Sequence, residues 1–234
     1  MAAPDAQEFA KLYQAIHACP KCPNVKLSLR PREPDEAACR SGLVLMAQAP
    51  AQHGVRESGV HWVDKDGHLK QGPATFLDGY LRQLGYSVDP QASGCKRPYT
   101  TNALQCWTGP GQQPGKDRPP SDDELENCKA WWIREIKLVR PRVIMLLGAP
   151  AAKCFAYACK DPILGKLAGK PFATIRRDPR FFRRLLSSQG DVVQLGDLLV
   201  RRYVVPHPSN WQYPGREGIY QEVMGLLRAA LEHE

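Results

Sequence analysis

The sequence predicts an α/β fold: one domain in three layers, with a central four-stranded, mostly parallel sheet and helices on both faces. Three observations predict it. Short apolar runs bounded by Gly and Pro alternate with longer stretches of helical apolar spacing. The run Val143-Ile144-Met145-Leu146-Leu147 contains no polar residue, which is what a strand covered on both faces requires. A chain of 234 residues, 43% hydrophobic and 24% charged, suffices for one sizeable core. The expected domain therefore spans residues 1–234, opening on an N-terminal arm that carries a cysteine pair.

Each element has its own justification. Residues 8–18 have helical apolar spacing and lead into the turn Cys19-Pro20-Lys21-Cys22. Residues 31–39 are rich in Pro and charge and read as loop. Gly42 to Ala47 is the first buried strand, ending in the small-residue turn Gln48-Ala49-Pro50-Ala51-Gln52-His53-Gly54. Loop continues through Gly67. A helix over 76–84 stops at Gly85. Tyr99 to Leu104 is the second strand. Residues 109–120 are dense in Gly and Pro and read as loop. Ser121 with Glu124 makes a capping box, opening a helix to about Val139 that carries Cys128. The third strand covers 142–148, and a helix follows over 150–159. Leu198 to Val205 is the fourth strand, followed by Pro206-His207-Pro208-Ser209. A helix over 218–231 closes the chain. Parallel sheets put their sites at the carboxyl ends of strands. Three segments lie at such ends: 48–54, 102–106 and 207–210.

The net charge is +8 and the pI about 9.1, which points to a polyanionic partner rather than a small neutral substrate. No apolar run is long enough to span a bilayer, and the N-terminus lacks a basic-then-apolar signal pattern. The expectation is a cytoplasmic, reduced, monomeric protein with no membrane partner. In a reducing compartment, clustered cysteines favour metal over disulfides. Of eight cysteines, Cys19, Cys22, Cys106 and Cys128 stand where a metal centre would draw on three distant stretches. Four thiolates suit zinc or a cubane iron–sulfur cluster, and spacing alone does not separate them. Zinc sites usually pair two short C-x-x-C knuckles, and only one short pair exists. Cys39, Cys95, Cys154 and Cys159 have no ligand-like pairing.

Five features then occur in a telling order: Cys19-x-x-Cys22 followed by Arg30; Gln48-Ala49-Pro50-Ala51; Gly59-Val60-His61-Trp62; Thr101-Asn102-Ala103-Leu104-Gln105-Cys106 with Cys128 downstream; and His207-Pro208-Ser209. The ordered set resembles the uracil-DNA glycosylase superfamily, on the side of its iron–sulfur families 4 and 5, over nearly the whole chain. Residues 49–54 are closer to the family 5 form. The family 4 form has Glu where this chain has Gln48. An amide cannot accept a proton as a general base, though it can orient a water. Glu57 is the nearest carboxylate further along.

The resemblance implies a monofunctional glycosylase that hydrolyses the N-glycosidic bond of uracil in DNA, within base excision repair, with a [4Fe–4S] cluster on the four cysteines. It implies base flipping, with Trp62 stacking on the base, Asn102 reading its edge and Ala49 beside it. His207 would donate to the base carbonyl as negative charge develops, with His53 as a secondary candidate. Gln48 and Glu57 are the candidates for handling water. Arg180, Arg183 and Arg184, interleaved with Phe181 and Phe182, suit phosphate contact. Ser209 and Asn210 adjoin the DNA, with Trp211 as wedge. Two other classes remain open: a non-catalytic iron–sulfur nucleic-acid-binding module, and a thiol redox protein using Cys19 and Cys22.

Overall fold

A computed structural model describes residues 6–25, 36–52, 54–113, 115–159, 162–165, 180, 184–185, 187–210 and 216–232. The strands are β1 (Leu43–Ala47), β2 (Tyr99–Asn102), β3 (Val143–Leu147), β4 (Val192–Leu195) and β5 (Leu198–Val205). They form one sheet in the order β2-β1-β3-β5-β4. Every pairing is parallel except that of β4 with β5.

The expected four strands are therefore five. The strand not anticipated, β4, is a four-residue edge strand with only Leu195 fully buried. A search for buried apolar runs passes over such a segment. Gly196-Asp197 between Leu195 and Leu198 was the available signal, because Gly-Asp turns join antiparallel strands.

The helices are α1 (Ala6–His17), α2 (Glu36–Cys39), α3 (Val55–Ser58), α4 (Pro73–Arg82), α5 (Asp122–Val139), α6 (Ala149–Cys159), α7 (Pro162–Gly165) and α8 (Arg216–Glu232). The short α2 lies inside the stretch expected to be loop. Alternating strand residues separate two cores. Val44, Met46, Ile144, Leu146 and Val204 pack with α1, α5 and α6. Leu43, Leu45, Met145, Leu147 and Val205 pack with α4 and α8 on the other face. This is the three-layer arrangement that two-sided apolar strands require. Each fully buried Leu or Ile contributes about 1.5–3 kcal/mol. The sheet grows leftward from β1 to β2, then rightward to β3 and β5. The crevice at that reversal, outside the carboxyl ends of β1 and β3, is where α/β sheets carry ligands.

Candidate functional site

Four strand ends meet along one edge. Ala47 pairs with Asn102, Met46 with Leu146, and Leu147 with Val205. The turn that begins at Gln48 is tied to the end of β2, since Leu104 N–H donates to Gln48 O at 3.0 Å and Ala103 N–H to Ala47 O at 2.8 Å. Ala49 is partly buried against the core beneath it. Further along the turn, Gln52 N–H donates to Asp117 Oδ2 at 3.1 Å, and Asp117 Oδ1 accepts from Trp107 Nε1 at 2.7 Å. The Gly/Pro-rich stretch is thus clamped to the turn.

Asn102 closes β2 and is 0% exposed. Neither its amide oxygen nor its amide nitrogen finds a hydrogen-bond partner among the described residues. Burying such an amide unmet costs about 1–3 kcal/mol.

His207 follows β5. Its ring lies 6.4 Å from that of Trp62, tilted by 34°. Ser209 N–H donates to His207 Nδ1 at 3.2 Å, with Ser209 Oγ 2.8 Å from the same nitrogen. A backbone N–H only donates, so Nδ1 is the acceptor and the proton of the neutral ring sits on Nε2. Burial pushes the imidazolium down from 6.5 to about 4, so the ring is neutral near pH 7. Gly148, at the end of β3, has φ +89°, and a Cβ there would lie 3.0 Å from His207 Cβ. Only glycine suits both the left-handed backbone and that approach.

Trp62 itself has φ +69°, a left-handed conformation that is strained for a large side chain. It is held there because Lys70 N–H donates to Trp62 O at 2.9 Å and Val63 bridges Leu69. Trp62 Nε1 and the neighbouring His61 Nε2 are buried without partners among the described residues. Burial also lowers His61 to about 4. The sequence reading did not single out His61.

On the other side of the Asn102 segment, Cys19, Cys22, Cys106 and Cys128 line a single cavity of about 350 Å3, together with Leu104, Gln105 and Trp131. None of the eight cysteines is in a disulfide. Burial raises the Cys128 and Cys22 thiols, so a thiolate in this cavity needs a cation beside it. Gln105 N–H donates to Cys128 Sγ at 3.2 Å. Among the described residues, no group of three or more His, Cys, Asp or Glu is arranged to hold a single ion. The sulfurs border a volume rather than converge on a point.

Beneath both features lies a knot that the sequence reading missed. Glu135 of α5 is 1% exposed. Its Oε1 accepts from Tyr13 Oη at 2.9 Å and Tyr99 Oη at 3.1 Å; its Oε2 accepts from Gln105 Nε2 at 2.7 Å and from Thr101 Oγ1. Burial raises its carboxyl against the pull of these donors. The signal was present: Cys128, Trp132, Glu135 and Val139 recur at helical spacing, which places a carboxylate in an apolar stripe.

Ser209 is exposed and belongs to the turn Pro208–Asn210, whose end supplies the Asn210 backbone. Arg180 and Arg184 are exposed. Glu57 contributes its backbone to α3. His53, Arg183, Trp211 and Arg30 lie outside the described residues.

A family profile described as the Uracil DNA glycosylase superfamily matches residues 34–223. The chain belongs to that superfamily. It is similar to a Type-4 uracil-DNA glycosylase of Pyrobaculum aerophilum, 27% identical over 146 residues, which cover 62% of this chain and 63% of the relative. A Type-5 uracil-DNA glycosylase of the same organism is 31% identical over 107 residues, 45% of this chain and 44% of the relative. A Type-4 enzyme of Archaeoglobus fulgidus is 36% identical over 55 residues, 24% of this chain and 25% of the relative. The chain thus spans at most 63% of the length of these curated relatives. Cys19 and Cys22 precede the matched family region. No helix among the described residues is long and apolar enough to cross a membrane.

Proposed function

We propose that the chain is a monofunctional uracil-DNA glycosylase of base excision repair, holding a [4Fe–4S] cluster on Cys19, Cys22, Cys106 and Cys128. One observation carries the reading. Among the described residues, Asn102 keeps both polar atoms of a wholly buried amide unmet, on the sheet edge that also bears the Trp62–His207 pair. A pyrimidine edge presents the matching donor and acceptor.

A base stacked in a duplex is out of reach, so the target nucleotide swings out into the site. Trp62 takes the extruded ring against its face. Asn102 accepts from the base N3–H and donates to a base carbonyl. Hydrolysis breaks the bond between C1′ and N1, the electron pair leaves with the base, and water delivers hydroxide to C1′. Charge gathers on the base carbonyl next to N1, where His207 Nε2–H donates. A neutral imidazole supplies that hydrogen bond without surrendering its proton. Gln48 orients the water and does not deprotonate it, so the water's proton passes to solvent. Leaving-group stabilisation supplies most of the rate, about 10²–10³ from a single well-placed donor. Glu57→Gln is therefore expected to slow excision far less than His207→Ala.

The four cysteines suit a cluster better than a lone ion. Zinc sites usually pair two short C-x-x-C knuckles, whereas this chain has one such pair and draws its other two sulfurs from the distant Cys106 and Cys128. The cluster supplies cross-linking, joining the N-terminal arm to the loop after β2 and to α5. Arg180 and Arg184, with Arg183, contact backbone phosphates; Ser209, Asn210 and Trp211 adjoin the opened duplex, with Trp211 as the wedge. The protein acts as a cytoplasmic monomer on uracil-containing DNA.

The test is a uracil-containing oligonucleotide incubated with the protein, then treated with alkali. Strand scission is expected. Salt-sensitive binding without scission would make the chain a non-catalytic nucleic-acid-binding module. Quantitation of iron and sulfide is expected to give a four-iron cluster, and colourless zinc-loaded protein would overturn that assignment.

A further inference from the structure

We propose that Gln105 is the positioning residue for the base-reading Asn102, itself held by the buried Glu135 carboxylate. The inference rests on the glycosylase reading above and deepens it.

Glu135 has no cationic partner among the described residues. Instead two tyrosines, Thr101 and Gln105 donate to it, one donor for each lone-pair site of a carboxylate. The arrangement is saturated, so the Gln105 amide has a fixed address. From that address Gln105 Nε2 reaches Thr101 Oγ1 at 2.9 Å and the Asn102 carbonyl oxygen at 3.2 Å. The second contact grips the peptide that follows Asn102. It sets the backbone angle from which the Asn102 side chain leaves the strand.

The same residue meets the cysteine cavity through its backbone, where Gln105 N–H donates to Cys128 Sγ at 3.2 Å. Gln105 therefore bears on Asn102 with its side chain and on the cysteines with its main chain. Its own Oε1 is buried with no partner among the described residues. A residue present only to fill space would be apolar, since an unmet buried oxygen is a cost. The position tolerates that cost because its nitrogen is needed.

Gln105→Met preserves the length of the side chain and the backbone N–H to Cys128, and removes the two amide N–H groups that serve Glu135, Thr101 and the Asn102 carbonyl. Single-turnover uracil excision is expected to fall roughly tenfold, with inhibition by free uracil weakened in parallel and iron content unchanged. Installed in an Asn102→Ala background, the same change is expected to cost less than about twofold, because its target is gone. Losses that multiply in the double variant, or a Gln105→Met enzyme as fast as wild type, would overturn the proposal. Should Gln105→Met not fold, Glu135→Gln, which keeps the shape of the carboxylate, replaces it in the same cycle with the same expected non-additivity. Wild-type protein that leaves uracil DNA intact overturns the glycosylase reading instead, and the proposal falls with it.

Discussion

Two buried polar groups meet on one strand and are treated in opposite ways. Thr101 turns toward α5 and joins Tyr13, Tyr99 and Gln105 around Glu135, where a fully buried carboxylate is met on every side. Asn102, the next residue, faces the other way, and its amide is equally buried but met by nothing among the described residues. Successive strand residues point to opposite faces, so one peptide step separates a finished network from an open one. The finished network holds the fold together: it joins α1, β2, α5 and the approach to Cys106. The open one is what the proposed base-reading role of Asn102 requires. Under that proposal the difference separates polar burial that serves stability from polar burial that serves recognition.

The comparison can be broken most decisively at Glu135. Glu135→Leu strands four donors in the core and is expected to cost about 3–5 kcal/mol, read as a lowered midpoint in urea unfolding. Asn102→Leu is expected to do the reverse. It removes an unmet amide and raises stability by about 1 kcal/mol, while slowing uracil excision by about a hundredfold or more. If both substitutions destabilise to the same extent, the distinction between the two networks fails.

Gly148→Ala is the next smaller effect. A methyl group at φ +89° and 3.0 Å from His207 Cβ is expected to slow excision roughly tenfold through displacement of the imidazole, at a stability cost of about 1–2 kcal/mol. An unaltered rate would remove His207 from the site.

The smallest effect on excision is that of pH. Burial lowers both His61 and His207 from 6.5 to about 4. Unfolded protein then binds protons below pH 6.5 that the folded protein refuses until about pH 4. Stability is therefore fully present above 6.5 and declines as the pH falls from 6.5 toward 4. Excision itself is expected to stay level from pH 8 down to about 5, since His207 remains neutral throughout. An inflection in the rate near pH 6.5 would mean a solvated histidine and contradict the geometry.

Much of the scaffold was legible because it is written in local periodicity. The runs that became β1 and β3 are apolar throughout, so each demanded cover on both faces, and parallel order followed from the helices between the strands. The capping box forecast the start of α5 to the residue, and Ser121 Oγ accepts from Glu124 N–H while Ser121 N–H donates to Glu124. The C-x-x-C pair, Asn102 and His207 were visible as residue types standing at the ends of such segments.

Other features depend on partners far apart in the chain, and no local window contains them. Tyr13 and Glu135 are 122 residues apart; nothing near either announces the other. The positive φ of Trp62 and the clamp from Asp117 to Gln52 arise from how neighbouring loops close on one another. Edge strand β4 is mostly exposed and carries little of the burial signal by which strands are found. Local sequence determined which segments are helix, strand and turn, because propensity and periodicity act over a few residues. Which buried polar groups are satisfied and which stand open was decided only when packing brought distant side chains together, since a hydrogen bond depends on position in space rather than on order in the chain.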